Sequence, residues 1–204
     1  MQKLEVIKIL KEDLKFSNTS IDKLKMFEIY LLKANKKHNF ISKSTENDIW
    51  SRHILDSAQL VKYINFKHGS LLDLGSGAGF PGLILALYLE KYNFHVKLAE
   101  KSPVKRSFLE DMSMKMGIKV SILGNIYNED ISADIIVCRA FKKLEEIMKI
   151  SREILERPHK MIILKGKDAQ AEINSLPIDK NCSYKLVSSI TNSKSKIVLV
   201  DAKK

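Results

Sequence analysis

Two cysteines in 204 residues, Cys138 and Cys182, lack the number and spacing of a disulfide framework, a metal knot or a redox pair. Such sparing use fits a reducing cytoplasm. The chain opens on no basic–apolar–small signal sequence, and no apolar run approaches the ~18 residues of a membrane span. Neither membrane association nor a bound metal is expected. No internal repeat, low-complexity tract or clear linker interrupts the chain. Its 204 residues make one domain, or one domain with an appendage. A chain of this size buries about 70% of its unfolded surface and needs no covalent staples. The hydrophobic fraction of 45% and charged fraction of 29% are ordinary for a soluble globular protein. The charge balance is not even: 35 Lys and Arg against 24 Asp and Glu give +11. That excess is spread along the chain and favours a polyanionic partner through counterion release.

Glycine is scarce, eight in all, yet four fall in Leu71–Leu89, LLDLGSGAGFPGLILALYL. This stretch reads as a buried strand, a turn with glycine at 75, 77, 79 and 82, and an apolar helix. Pro81 suits the first helical turn, where a missing N–H does no harm. The glycines let the backbone turn sharply and approach a ligand that a β-carbon would push away. The helix start offers free N–H groups and a positive dipole end. A nucleotide site at the carboxyl end of the first strand of an open α/β sheet follows. Two cofactors fit. Gly77, Gly79 and Gly82 match the dinucleotide pattern GxGxxG, which makes an NAD-dependent oxidoreductase one reading. Asp73, Gly75, Gly77 and Gly79 match DxGxGxG of S-adenosylmethionine enzymes, with Asp73 placed to hold the loop by accepting backbone N–H bonds. Glu100, at the end of the next strand, is expected to take the ribose hydroxyls in either case.

Residues 1–66 read as a helical segment and 67–204 as the sheet domain. Leu4, Ile7, Leu10 and Leu14, then Ile21, Leu24, Phe27 and Leu31, recur at helical spacing. Ser20 is expected to cap the second helix, and Thr45 a third with Trp50, Ile54, Ala58 and Val61 as its apolar stripe. From Ser70 strands alternate with helices. Strands are predicted at 71–74, 96–99, 120–123, 134–138, 161–164, 184–190 and 196–200. Helices follow the glycine loop and Ser102, and span about 143–155 and 169–173. This pattern gives a doubly wound, Rossmann-like α/β fold. The last two strands form an antiparallel hairpin at the sheet edge. A mostly parallel sheet ending in such a hairpin favours the class I S-adenosylmethionine-dependent methyltransferase arrangement, because little chain remains for the substrate domain of a dehydrogenase.

Arg139 stands at a strand's carboxyl end, suited to a carboxylate or a phosphate. Lys165 ends the next strand. Lys105 and Arg106 follow a capped helix start, where they would bind phosphate rather than base. Phe80, Tyr127 and Phe141 are candidates for stacking on a base. No acid–base triad is visible. Neither an Asn-Pro-Pro-Tyr segment, common in amino-group methyltransferases, nor the Pro-Cys of a cytosine-C5 enzyme follows the fourth strand. Cys138 there reads as a small space-filling residue.

Several segments together carry a family resemblance over nearly the whole chain. They are Asn35-Lys-Lys-His-Asn39-Phe-Ile-Ser, Arg52-His-Ile-Leu-Asp-Ser57, LDLGSGAGFPG, Lys105-Arg106-Ser-Phe-Leu109, Cys138-Arg-Ala-Phe141 and Leu164-Lys-Gly166. With these the chain resembles the RsmG/GidB family of bacterial 16S rRNA guanine-N7 methyltransferases. The resemblance implies S-adenosylmethionine as cofactor, the small ribosomal subunit as partner, and N7 of guanine 527 in the 530 loop of 16S rRNA as target. It implies cofactor contacts at Gly75 and Phe80, adenine contacts at Ile126 and Tyr127, and a cofactor or substrate contact at Arg139. His53 and Asn39 would approach the active cleft, and Lys105, Arg106 and Lys165 the RNA. The chain departs from the family pattern at Tyr127, where an acidic residue is common, and at Cys138, where serine is.

Overall fold

Leu71, Leu72 and Leu74 are fully buried, and the run they belong to lies at the centre of the sheet in a computed structural model describing residues 1–65 and 67–203. The strands are β1 (His68–Leu74), β2 (Asn93–Ala99), β3 (Val120–Leu123), β4 (Ile135–Arg139), β5 (His159–Lys165), β6 (Cys182–Ser188) and β7 (Lys196–Ala202). Among the described residues they form one sheet of order β3-β2-β1-β4-β5-β7-β6. β1 to β5 run parallel to one another, and β7 runs antiparallel to both β5 and β6. The expected hairpin is therefore present, with β7 inserted between β5 and the edge strand β6. The change of winding direction falls between β1 and β4, where open α/β sheets bind ligands.

Both faces of the sheet are covered, which is why β4 is apolar without alternation: Ile135, Ile136, Val137 and Cys138 are all fully buried. On one face Leu71, Leu98, Val137 and Ile162 pack with α1 (Lys3–Glu12), α2 (Asn18–Asn35), α4 (Gly82–Leu89) and α5 (Pro103–Met116). On the other, Leu72, Ile136, Cys138 and Ile163 pack with α6 (Leu144–Ile154) and the short α7 (Ala169–Asn174). α4 is apolar all round because it is enclosed by the sheet on one side and α2 on the other. Phe27 of α2 meets Phe80 edge-on, centroids 5.5 Å apart, and Lys23 pairs with Glu90 at 2.9 Å. The helical segment thus shares one core with the sheet. The boundary expected at residue 66 falls on a position outside the described residues, as does residue 204.

Three expectations about helix starts are corrected. α2 begins at Asn18, and its cap is Ser17, whose Oγ accepts from Ser20 N at 3.0 Å. Ser20 is the third residue of that turn, so its N–H is the donor the cap satisfies. Thr45 caps no helix. Residues Lys43–Asp48 form a tight 3-10 turn, Trp50–Leu55 a wider π turn, then come α3 (Asp56–Ala58) and a second 3-10 turn, Gln59–Tyr63. Turns of this width recur at functional sites. Pro81 precedes α4 rather than opening it, after a cis Phe80–Pro81 bond. Ser102 does cap α5, with Pro103 at its first position.

Asn35 fixes the irregular stretch. Its Oδ1 accepts from Phe40 N (2.8 Å) and Ile41 N (2.9 Å), and its Nδ2 donates to Ile41 O (3.1 Å) and Glu46 Oε1 (2.6 Å). Asn35→Ala would strand two backbone N–H groups. It is expected to cost about 1–3 kcal/mol in urea unfolding; an unchanged midpoint would show that water replaces the amide.

Candidate active site

The glycine loop crosses from β1 to the end of β2, where Ala99 O accepts from both Gly75 N (2.9 Å) and Ser76 N (3.0 Å). Gly75, Gly77 and Gly79 have φ of +74°, +59° and +99°, conformations other residues enter only with strain. A Cβ on Gly75 would lie 2.5 Å from the Phe141 ring, and one on Gly79 2.8 Å from Leu83 Cβ. At Gly77 the nearest atom to such a Cβ is 3.9 Å away, so this glycine is needed for its backbone angle. Gly82 is needed for close packing: a Cβ there would lie 2.4 Å from Leu98 and 2.6 Å from Asp73 Oδ2.

Asp73 holds the loop as its position in the motif suggested. Fully buried at the end of β1, it accepts from Gly82 N at 2.9 Å through Oδ2, while Ser76 Oγ donates to its carbonyl at 3.3 Å. Among the described residues Oδ1 has no partner. Burial pushes its pKa up to about 7, against the hydrogen bonds from Ser76 and Gly82. The unfolded chain therefore releases this proton first. Stability associated with protonated Asp73 is present below pH ~4 and is lost as pH rises towards ~7. Asp73→Asn keeps an acceptor for Gly82 without the charge. Its stability relative to the native protein is expected to climb between about pH 4 and pH 7 and then level off, measured by urea unfolding across pH; parallel curves would contradict the buried charge.

Glu100 caps two backbone segments at once. Its Oε2 accepts from Gly77 N (2.9 Å) and its Oε1 from Ser102 N (2.8 Å). Lone pairs remain on both oxygens for ligand hydroxyls. A 260 Å³ cavity lies here, lined by Leu74, Gly75, Ala99, Glu100, Gly124 and Ile126 among others. Ala140 and Phe141 close it and also line a second cavity of 460 Å³ at the ends of β4 and β5. Ala140 has φ +49°.

Arg139 is gathered between several groups. Its Nη1 donates to Arg52 O at 3.0 Å, lies 3.8 Å from Asp56 Oδ2, and its guanidinium sits 4.9 Å over the Phe80 ring. His53 stacks on the same ring at 5.0 Å and meets Thr45 Oγ1 through Nε2 at 2.9 Å. Burial, then Arg139 and Arg52, push His53 down to about 3, so it is neutral at physiological pH. Phe80 is buried between these groups and Phe27.

The other expected site residues disperse. Asn39 is exposed. Ile126 is buried and lines the smaller cavity, whereas Tyr127 is exposed and donates from its hydroxyl to Glu153 Oε2 at 2.9 Å, on a neighbouring groove. Arg106 donates to Glu100 O (3.0 Å) and Lys101 O (2.7 Å), stapling the end of β2. Lys165 is held by Lys142 O (2.8 Å) and Glu172 (2.6 Å). Lys105 is half-buried on α5. Cys138 is fully buried, and burial pushes its thiol well above the usual range, consistent with a space-filling role. Among the described residues no three His, Cys, Asp or Glu are grouped to hold a metal, and no helix is long and apolar enough to cross a membrane. Asp56 and Gln59, which bind the loop between β6 and β7, were given no role by the sequence. Asp56 lay inside the Arg52–Ser57 match, which was the only signal for it.

Comparison with known proteins identifies this arrangement. The model of the GidB family, rRNA small subunit methyltransferase G, matches residues 20–200. The ribosomal RNA small subunit methyltransferase G of Rickettsia felis is 37% identical over 182 residues, covering 88% of this chain and 92% of the relative. That of Rickettsia prowazekii is 36% identical over 190 residues, covering 92% and 97%. Among solved structures, an S-adenosylmethionine-dependent methyltransferase from Aquifex aeolicus superposes with a TM-score of 0.57 at 17% identity, covering 72% of this chain and 89% of that one. The sheet is thus that of the class I methyltransferases, and the dinucleotide reading of Gly77, Gly79 and Gly82 gives way. The chain belongs to the GidB family and is an rRNA methyltransferase.

Proposed function

We propose that the chain methylates N7 of guanine 527, in the 530 loop of 16S rRNA, within the cytoplasmic small ribosomal subunit. The observation that carries this reading is the pair of cavities meeting at Phe141: a narrow one floored by glycines and Glu100, and a wider one beside Arg139. The residues fit S-adenosylmethionine. Gly77 leaves open space where a Cβ would point, Ala99 and Gly124 leave room for a flat base, and Glu100 has lone pairs for two ribose hydroxyls. When bound, S-adenosylmethionine supplies a methyl group already activated by its sulfonium. Glu100, Gly75, Gly77, Gly79 and Ile126 would hold the adenosyl part. Asp73 keeps the loop in place from beneath. Arg139, pressed on Phe80, would meet the carboxylate end or an RNA phosphate.

Guanine N7 is a free acceptor without a proton, so its methylation calls for no general base. In support of this, Asp73 is sealed, half-buried His53 is neutral, and Cys138 is a buried thiol. Orientation and exclusion of water supply the acceleration, an effect worth up to about 7–11 kcal/mol. Lys105, with Arg106 and Lys165 where their remaining donors allow, would face RNA phosphates. Asn39 and His53 would line the RNA approach. The test is calorimetry followed by transfer. S-adenosylhomocysteine should bind and NADH should not, and tritium from S-adenosylmethionine should enter small subunits. Label in another RNA class, or none, would overturn the assignment.

A further inference from the structure

The wider cavity has a lining that transfer to N7 alone leaves without a role. Its 460 Å³ lies within the usual range of small-ligand clefts, about 300–1,000 Å³. Phe141 and Ala140 belong to both cavities, whereas Asp56 lines only the wider one. Two carboxylates are among its lining residues, and they differ. Glu172 Oε2 is occupied by Lys165 Nζ and Leu144 N, each at 2.6 Å. Asp56 instead gathers its donors on one oxygen. Oδ1 accepts from Thr191 Oγ1 (2.8 Å), Gln59 Nε2 (3.0 Å) and Ser189 Oγ (3.3 Å). Oδ2 faces the Arg139 guanidinium at 3.8 Å, beyond hydrogen-bond reach. The carboxylate is fixed in orientation from the helical segment and the β6–β7 loop together, with one oxygen left for a donor. Burial raises its pKa above the usual carboxylate value, against the hydrogen bond from Thr191, the charge of Arg139 and the hydrogen bond from Ser189.

A purine that turns N7 towards a cofactor at the glycine loop presents its Watson–Crick edge to the opposite side. On that edge guanine carries adjacent N1–H and N2–H donors, whereas adenine has an acceptor at N1. A carboxylate is an acceptor only, and enzymes acting on an extruded base read this edge by hydrogen bonds. We infer that Asp56, through Oδ2, accepts from the N1–H and N2–H of the target guanine in the wider cavity and sets base specificity. This rests on guanine being the target base.

The test uses the whole enzyme on small subunits reconstituted with guanosine or inosine at the target. Inosine lacks only the 2-amino group. The native enzyme is expected to prefer guanosine at least about tenfold in kcat/KM, the loss of one hydrogen bond to a charged acceptor. In Asp56→Asn the three donors hold the amide oxygen in the Oδ1 position and turn the NH2 into the cavity, donor against donor. That variant should bring the preference below about threefold while binding S-adenosylhomocysteine normally. A second variant, Thr191→Val, loosens the carboxylate without removing it and should lower the preference in the same direction. If Asp56 served only to position Arg139, substitution would slow both substrates equally; an unchanged preference in either folded variant overturns the inference. So does a native enzyme indifferent to the 2-amino group. A native enzyme that binds S-adenosylhomocysteine yet methylates neither subunit removes the guanine-N7 reading itself.

Discussion

Glu100→Ala is expected to weaken S-adenosylhomocysteine binding by about 1.5–3 kcal/mol, the usual range for a charged hydrogen bond, or roughly 10- to 150-fold in Kd. Two effects add. Removing the carboxylate deletes the acceptor for ribose hydroxyls, and it also frees Gly77 N and Ser102 N, which the carboxylate holds at 2.9 and 2.8 Å. The glycine loop keeps its bonds from Gly75 N and Ser76 N to Ala99 O but loses the one at Gly77. Glu100→Gln separates the two effects, because an amide can accept on one oxygen only and must leave either the loop or the α5 start unpaired. It should fall between the native protein and the Ala variant. Calorimetry reads both. Affinity within twofold of native in Glu100→Ala would remove this residue from the cofactor site.

Gly82→Ala is expected to damage the fold rather than binding alone. The added Cβ would meet Leu98 Cδ2 at 2.4 Å and Asp73 Oδ2 and Cβ at 2.6 and 2.7 Å. None of these can retreat: Leu98 and Asp73 are fully buried, and Asp73 is bonded to the same residue's N–H. Overpacking of this kind costs about 3 kcal/mol, which in a chain of this length lowers Tm by roughly 6–12 °C. Gly77→Ala is the contrast. It has space for the Cβ and suffers only from its positive φ, so it should lose less stability, by thermal unfolding. Equal losses at the two positions would mean that backbone strain, and not packing, decides.

The glycine loop could be read from sequence because its determinants are local. Positive φ at residues 75, 77 and 79 is a demand each residue meets by itself, and Asp73 and Gly82 are nine residues apart on one strand–loop–helix unit. Glu100 was legible as the end of the next strand, though its grip on Gly77 was not. The strands themselves, and the doubly wound class, followed from alternation of apolar runs, since parallel strands buried on both faces leave continuous hydrophobic segments such as Ile135–Cys138; their order in the sheet, with β7 between β5 and β6, came only with the structure. The helical segment was legible only as amphipathic. The bend before its first 3-10 turn is held by Asn35 reaching Phe40, Ile41 and Glu46, and no periodicity signals this or the π turn that follows. Thr45 resembled a cap because it precedes an apolar stripe, yet its hydroxyl is used by His53. Least legible was the cluster of Asp56 and Gln59 with Ser189 and Thr191, two pairs that lie 130 to 135 positions apart in sequence and meet only because the β6–β7 loop folds back over the helical segment. Tyr127 and Arg106 show the converse: residue types suited to a ligand, engaged instead by Glu153 and by backbone carbonyls.

The most direct measurement is the position of the transferred methyl. Small subunits that lack the modification, incubated with the protein and tritiated S-adenosylmethionine, should acquire about one methyl per particle, and N7-specific chain cleavage should fall at guanine 527. Label at a base nitrogen other than N7, at another nucleotide, or on protein alone would contradict a site that works by alignment without a base.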